Sequence, residues 1–231
     1  MPLKEKIAIF DIDGTIFRKN LAFELIEELS RMGIFEEEIR KKLIKLYNNW
    51  LDHKGVYEDY RKALIALYGE NIKGCPRNKI IEASRKVVPF YKDRTYVFTS
   101  QLIKKLRQEN YLIIAISGSP MEIVEEYNRY LKFDEVFGTV YDFNKEGIYT
   151  GEIVFDPALH KGHVAKQYLT QNEISLKDSY GVGDTESDAK FLEIVDHPIA
   201  FNPNLNLKEI AEKNGWRIVV EKKDVIYEIK K

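Results

Sequence analysis

The 231-residue chain is 44% hydrophobic, enough to bury a full core, which excludes disorder and fits one large domain or a domain with an insertion. Its 36 basic and 37 acidic residues leave a formal charge of -1, so no global field favours nucleic acid or an anionic membrane. A single cysteine, Cys75, cannot form an internal disulfide; LIIAI at 112–116 is strand-sized rather than membrane-spanning, and the four apolar residues after Lys4 and Lys6 are too few for a signal-peptide core. A cytoplasmic protein without membrane or nucleic-acid partners is expected.

In chain order, KIAIF at 6–10 reads as a buried strand that ends in Asp11, Asp13 and Gly14. Residues of about 20–88 then change period. Leu21, Leu25, Ile26 and Leu29, then Ile39, Leu43, Leu46 and Trp50, then Tyr57, Tyr60, Leu64 and Leu67 recur at three-and-four spacing. They predict an all-helical cap inserted at 20–88, leaving 1–19 and 89–231 as the core, with Trp50, Tyr57 and Tyr60 read as the cap's own packing. YLIIAI at 111–116 is a second strand. Ser119, Pro120 and Glu122 spell a capping box for the helix that follows it.

FNKEGIYTGEIVF at 143–155 reads as a hairpin turned at Lys145 to Gly147. A helix from His160, the strand SYGVG at 179–183, and a helix from Thr185 with a Thr185–Asp188 capping box come next. Asn206 to Lys213 is a helix stopped by Asn214 and Gly215, ahead of the strand WRIVV. Such alternation predicts a doubly wound, mainly parallel α/β sheet.

The chemistry-bearing residues cluster at these strand ends. Asp11 and Asp13, two apart on an extended chain, place both carboxylates on one side. Alone they would read equally well as a turn. Asp184 and Asp188 arrive after another strand as hard oxygen ligands suited to magnesium, Asp188 serving equally as a helix cap. Ser117 and Gly118 precede a helix start, where a hydroxyl and backbone N–H groups can meet phosphate oxygens, although Ser117 taken alone reads more readily as a turn residue. A carboxylate nucleophile facing a phosphate dianion needs positive charge beside it, from a metal and a lysine such as Lys161. His53, His160, His163 and His197 read as surface residues, and Arg18 and Lys19 as solvated charges.

IAIFDIDGT, LIIAIS, Lys161 and GVGDTESD, in this order, resemble the four motifs of the haloacid dehalogenase superfamily. The helical insertion after the first motif, SGSP, and VGDTESDAKFLEIVDHPIAFNP look like its phosphoserine phosphatase-like subfamily. The resemblance implies a Rossmann-like core and a magnesium-dependent phosphatase acting on a small phosphate ester. It implies Asp11 as nucleophile, Asp13 as general acid then base with its carbonyl on the metal, Ser117 and Lys161 on phosphate, and Asp184 on magnesium supported by Asp188. Two positions depart from phosphoserine phosphatases: Asn20 stands where an acidic residue meets the substrate amine, and Ser187 where asparagine is favoured. Both lower the expectation of phosphoserine as substrate. Phosphoserine phosphatase proper, a phosphotransferase or phosphomutase, and an α/β binding protein are the alternatives.

Overall fold

The computed structural model of the chain describes residues 6–229; Lys4, with the rest of the first five positions expected in the core, lies outside them. At its centre is β1 (Ile7–Phe10), fully buried over all four residues. The pleat sends Ala8 and Phe10 into one core and Ile7 and Ile9 into another on the opposite face. β2 (Leu112–Pro120) divides in the same way, with Ile113 and Ala115 on the first side and Ile114 and Ile116 on the second. Burial on both faces explains why these strands are unbroken apolar runs.

The remaining strands are β3 (Glu135–Phe143), β4 (Tyr149–Phe155), β5 (Tyr180–Gly183), β6 (His197–Phe201), β7 (Arg217–Lys222) and β8 (Val225–Ile229). Their order is β4-β3-β2-β1-β5-β6-β7-β8, parallel from β3 through β7 and antiparallel only at the two edge pairs. This is the expected doubly wound sheet. The chain leaves β1 on both sides, to β2 and later to β5, so the carboxyl ends of β2, β1 and β5 form the switch point where α/β sheets bind ligands.

Five helices separate β1 from β2: α1 (Leu21–Arg31), α2 (Glu37–Leu51), α3 (Tyr57–Ile72), α4 (Arg77–Tyr91) and α5 (Val97–Gln108). Then come α6 (Met121–Leu131), α7 (Lys161–Gln171), α8 (Ala189–Leu192) and α9 (Leu205–Asn214). The first four lie on the segment expected as a cap, and α4 carries Pro89 in its last turn and runs past the expected end at 88. The connectors into and out of these four helices pair with each other: Arg18 N–H donates to Arg94 O at 2.9 Å and Tyr96 N–H to Ile16 O at 3.0 Å. Among the described residues no helix is long and apolar enough to cross a membrane.

Three local expectations change. The Ser119–Glu122 capping box does not form, because β2 continues through Pro120 and both side chains are taken elsewhere. Glu122 Oε1 accepts from Arg77 Nε at 3.1 Å and from the Tyr149 hydroxyl at 2.5 Å. The hairpin at 143–155 begins further back, since its first strand starts at Glu135 and pairs with β2. The Thr185–Asp188 box does form, but over a single 3-10 turn, Glu186–Asp188, followed by the four-residue α8.

Candidate active site

Asp11 directly follows β1, Ser117 lies within β2, and Asp184 directly follows β5, so adjacent parallel strands deliver all three to one end of the sheet. Lys161, the first residue of α7, is buried and bridges two carboxylates, with Nζ 2.5 Å from Asp11 Oδ1 and 2.5 Å from Asp188 Oδ1. The other Asp188 oxygen accepts the backbone N–H groups of Asp184 at 2.9 Å and Thr185 at 3.0 Å. Asp188 thus anchors both Lys161 and the Asp184 loop. Asp11 Oδ2 is buried without a hydrogen-bond partner among the described residues, an arrangement that costs free energy unless something else occupies the site.

Asp11, Asp184 and Asp188 each offer an oxygen, all within 4.8 Å of one another. Fully ionised, three carboxylates against one ammonium leave an excess of two negative charges. A hard divalent cation fits that excess, the all-oxygen donor set and the unpartnered Asp11 oxygen. His160 and His163 are outside this group. Burial pushes the Asp11 carboxyl up to about 7, with Lys161 opposing and Asp188 and Asp13 adding to the rise. Burial likewise raises Asp184, reinforced by Asp11 and Asp188. For Lys161, burial favours the neutral amine, but Asp11 and Asp188 outweigh it and hold the ammonium above its ordinary range.

Asp13 has different company. Its Oδ1 accepts Leu21 N–H at 2.6 Å, and its Oδ2 accepts the hydroxyls of Ser117 at 2.9 Å and Ser119 at 2.7 Å. Burial raises its carboxyl, while these three hydrogen bonds pull the other way. The group is therefore set apart from Asp11 and tied to the first residue of α1. Gly14 makes the approach of β5 possible. It sits at φ +87°, and a Cβ there would lie 2.1 Å from Asp184 Oδ2.

The family model for haloacid dehalogenase-like hydrolases matches residues 8–193. The chain belongs to this family. The matched span contains Asp11, Asp13, Ser117, Lys161, Asp184 and Asp188. A phosphoserine phosphatase from Methanocaldococcus jannaschii is 26% identical over 228 residues, covering 97% of this chain and 96% of the relative. In fold, the chain is similar to a Bordetella pertussis Tohama I protein of unknown function, with TM-score 0.73, 21% identity and coverage of 94% and 98%. It is also similar to a phospho-aspartyl intermediate analogue of phosphoserine phosphatase, with TM-score 0.65, 22% identity and 96% of each chain covered. The resemblance read from the four motifs is thus borne out.

In this haloacid dehalogenase-like hydrolase the carboxylates open into two joined spaces. A pocket of about 60 Å³ is lined by Asp11, Asp13, Gly118, Ser119, Lys161 and Asp184. A cavity of about 530 Å³ adjoins it, and Asn20, Tyr57, Asp184 and Thr185 line both. Asn20 is also the N-cap of α1, its Oδ1 accepting Phe23 N–H at 3.1 Å.

One sequence reading is extended here and another corrected. Trp50, Tyr57 and Tyr60 pack on one another, yet all three line the larger cavity with Phe23 and Tyr47. Helical spacing puts them on one face without saying that the face meets the end of the sheet. Arg18 and Lys19 are exposed but not free: Arg18 pairs with Glu221 and Lys19 with Glu24, at 2.5 Å for the second pair. Ser119 and Thr185 entered the sequence reading only as caps, and hydrogen-bonding types at strand ends were the signal that could have flagged them.

Proposed function

We propose that the chain is a magnesium-dependent phosphatase that hydrolyses a small organic phosphate monoester through an aspartyl-phosphate on Asp11. The observation carrying this reading is the Asp11 carboxylate itself: buried, with one oxygen on Lys161 and the other unpartnered in a three-carboxylate group. The names of its relatives, phosphoserine phosphatase and a phospho-aspartyl analogue of one, support it.

Asp11, Asp184 and the Asp13 carbonyl would hold the magnesium, with Asp188 holding Asp184 and Lys161 in place. Bound magnesium supplies positive charge that keeps Asp11 ionised and offsets the phosphoryl oxygens. In the first displacement an Asp11 oxygen attacks phosphorus, the ester P–O bond breaks, and Asp13 gives its proton to the departing alkoxide. In the second, Asp13 takes a proton from water as that water attacks phosphorus, and the Asp11–phosphorus bond breaks to release phosphate. Lys161 and the Gly118 backbone receive phosphoryl oxygens. Ser117 joins them by giving up its bond to Asp13, which Ser119 retains.

Helices at 20–88 act as a cap that restricts water and reads the leaving group, with Asn20 at the neck between the two spaces. Asn20 offers an amide where an ammonium would favour a carboxylate, so phosphoserine is not the preferred ester. A cytoplasmic location without membrane or nucleic-acid partners completes the reading. Rapid-quench trapping with a ³²P-labelled ester and magnesium tests it. Label should appear on Asp11 and vanish in Asp11→Asn; label on another residue, or on none during turnover, overturns the mechanism.

A further inference from the structure

We propose that the alcohol released by this enzyme carries a planar aromatic ring, which seats against Trp50 and Tyr57 in the larger cavity. The proposal rests on the phosphatase reading for where phosphorus sits. The 60 Å³ pocket surrounds the carboxylates and Lys161, and the 530 Å³ cavity begins at the shared residues Asn20, Tyr57, Asp184 and Thr185. A phosphoryl group in the first space directs its ester oxygen into the second. That second space is within the size range of pockets that enclose whole organic molecules, and it is generous for a serine side chain.

Its walls decide the chemistry. Phe23 from α1, Tyr47 and Trp50 from α2, and Tyr57 and Tyr60 from α3 form one aromatic surface. Trp50 meets Tyr57 at 5.1 Å and 64°, and Tyr47 meets Tyr60 at 5.3 Å and 62°. Rings added to such a surface gain from edge and offset contacts as well as from burial. Burial holds the Tyr57 and Tyr60 phenols above their usual range, so the wall stays uncharged.

Apart from Asp184, the charged and amide groups around it are already engaged. Glu24, 2% exposed, holds Lys19; Arg18 holds Glu221; Asn202 Oδ1 accepts Glu221 N–H at 2.8 Å; Asn204 caps α9 through Leu207 N–H at 2.9 Å and bonds Glu186. A primary ammonium placed here would draw on Asp184, in competition with the ion that the carboxylate group would hold. A quaternary ammonium, the other ligand of aromatic walls, would meet a lining in which Glu24 and Asp184 balance Arg18 and Lys19. An uncharged ring needs no counter-charge from this lining.

Steady-state rates for 2-phenylethyl phosphate, 2-cyclohexylethyl phosphate, phosphocholine and phosphoserine, measured on the full chain with magnesium, test the proposal. The phenyl ester should exceed its saturated counterpart in kcat/KM by about ten-fold, the size of one or two good ring contacts. Trp50→Leu should bring that ratio close to one, and Tyr57→Leu serves if the first variant fails to fold. Equal rates for the phenyl and cyclohexyl esters, or a lead for phosphocholine or phosphoserine, would overturn it. If no ester turns over, p-nitrophenyl phosphate included, the phosphatase reading fails, and calorimetry with 2-phenylethylphosphonate still decides the ring site. Binding weakened about ten-fold by Trp50→Leu supports the site; unchanged binding removes it.

Discussion

Asp11 and Asp13 are two positions apart in sequence and opposite in surroundings. One faces Lys161 and the carboxylate group; the other is wrapped by two hydroxyls and the Leu21 N–H. In the proposed mechanism that division gives attack to the first and proton transfer to the second. Asp13→Asn should therefore slow an alkyl phosphate far more than p-nitrophenyl phosphate, because nitrophenolate leaves without a proton. Equal losses for the two esters would contradict the role. Ser119→Ala gives the complementary result. Its hydroxyl lowers the Asp13 carboxyl, so removing it should raise that carboxyl and move the alkaline limb of the alkyl-phosphate kcat profile to higher pH. An unmoved limb would show that Asp13 is not the titrating acid.

Elements were legible where local signals and burial agree. β1, β2 and β5 are runs buried on both faces, and the stop at Asn214 and Gly215 matches a C-cap at Gly215 with φ +70°. α5 offered less, since its N-cap is Tyr96, which makes no side-chain cap. The Ser119–Glu122 pattern misled because tertiary partners, Asp13 for one and Arg77 with Tyr149 for the other, outbid the local box. Candidate site residues at strand ends were readable for the same reason as the strands. Ser119's role and the aromatic wall were not, since both depend on how separate elements meet. Gly14 joins the two kinds of information: an Asp-Gly turn in sequence, and in space the surface against which Asp184 lies. Gly14→Ala adds a strained φ and a clash, and should lower both the melting temperature and the magnesium affinity. A variant with wild-type magnesium response would remove Gly14 from the site's construction.

For the whole molecule, the carboxylate group sets function against stability. Asp11 is held at about 7 in the metal-free fold, against 3.8 ordinarily, chiefly by burial, and Asp184 is raised as well. Folded pKa values above unfolded ones mean that the native state binds more protons between these limits. The associated stability is present at acid pH and is lost as pH rises through the folded value. Metal-free protein should therefore melt at a lower temperature at pH 8 than at pH 5.5. In the proposed function magnesium binds the ionised carboxylates, so its effect should run the other way with pH: small at 5.5 and large at 8. At a concentration a hundred times its dissociation constant, a ligand adds about 2.7 kcal/mol. For a chain of this size that corresponds to a rise of roughly 5–10 °C at pH 8. Asp184→Asn should flatten the metal-free pH dependence and abolish the magnesium shift, and at pH 8 without metal it should melt above the wild type, because one unpaired buried charge is gone. Melting curves in chelator across pH 5.5–8, for both proteins, decide the point. Wild type that melts alike at both ends and ignores magnesium would mean that the three aspartates share protons in some other way and do not hold a divalent ion.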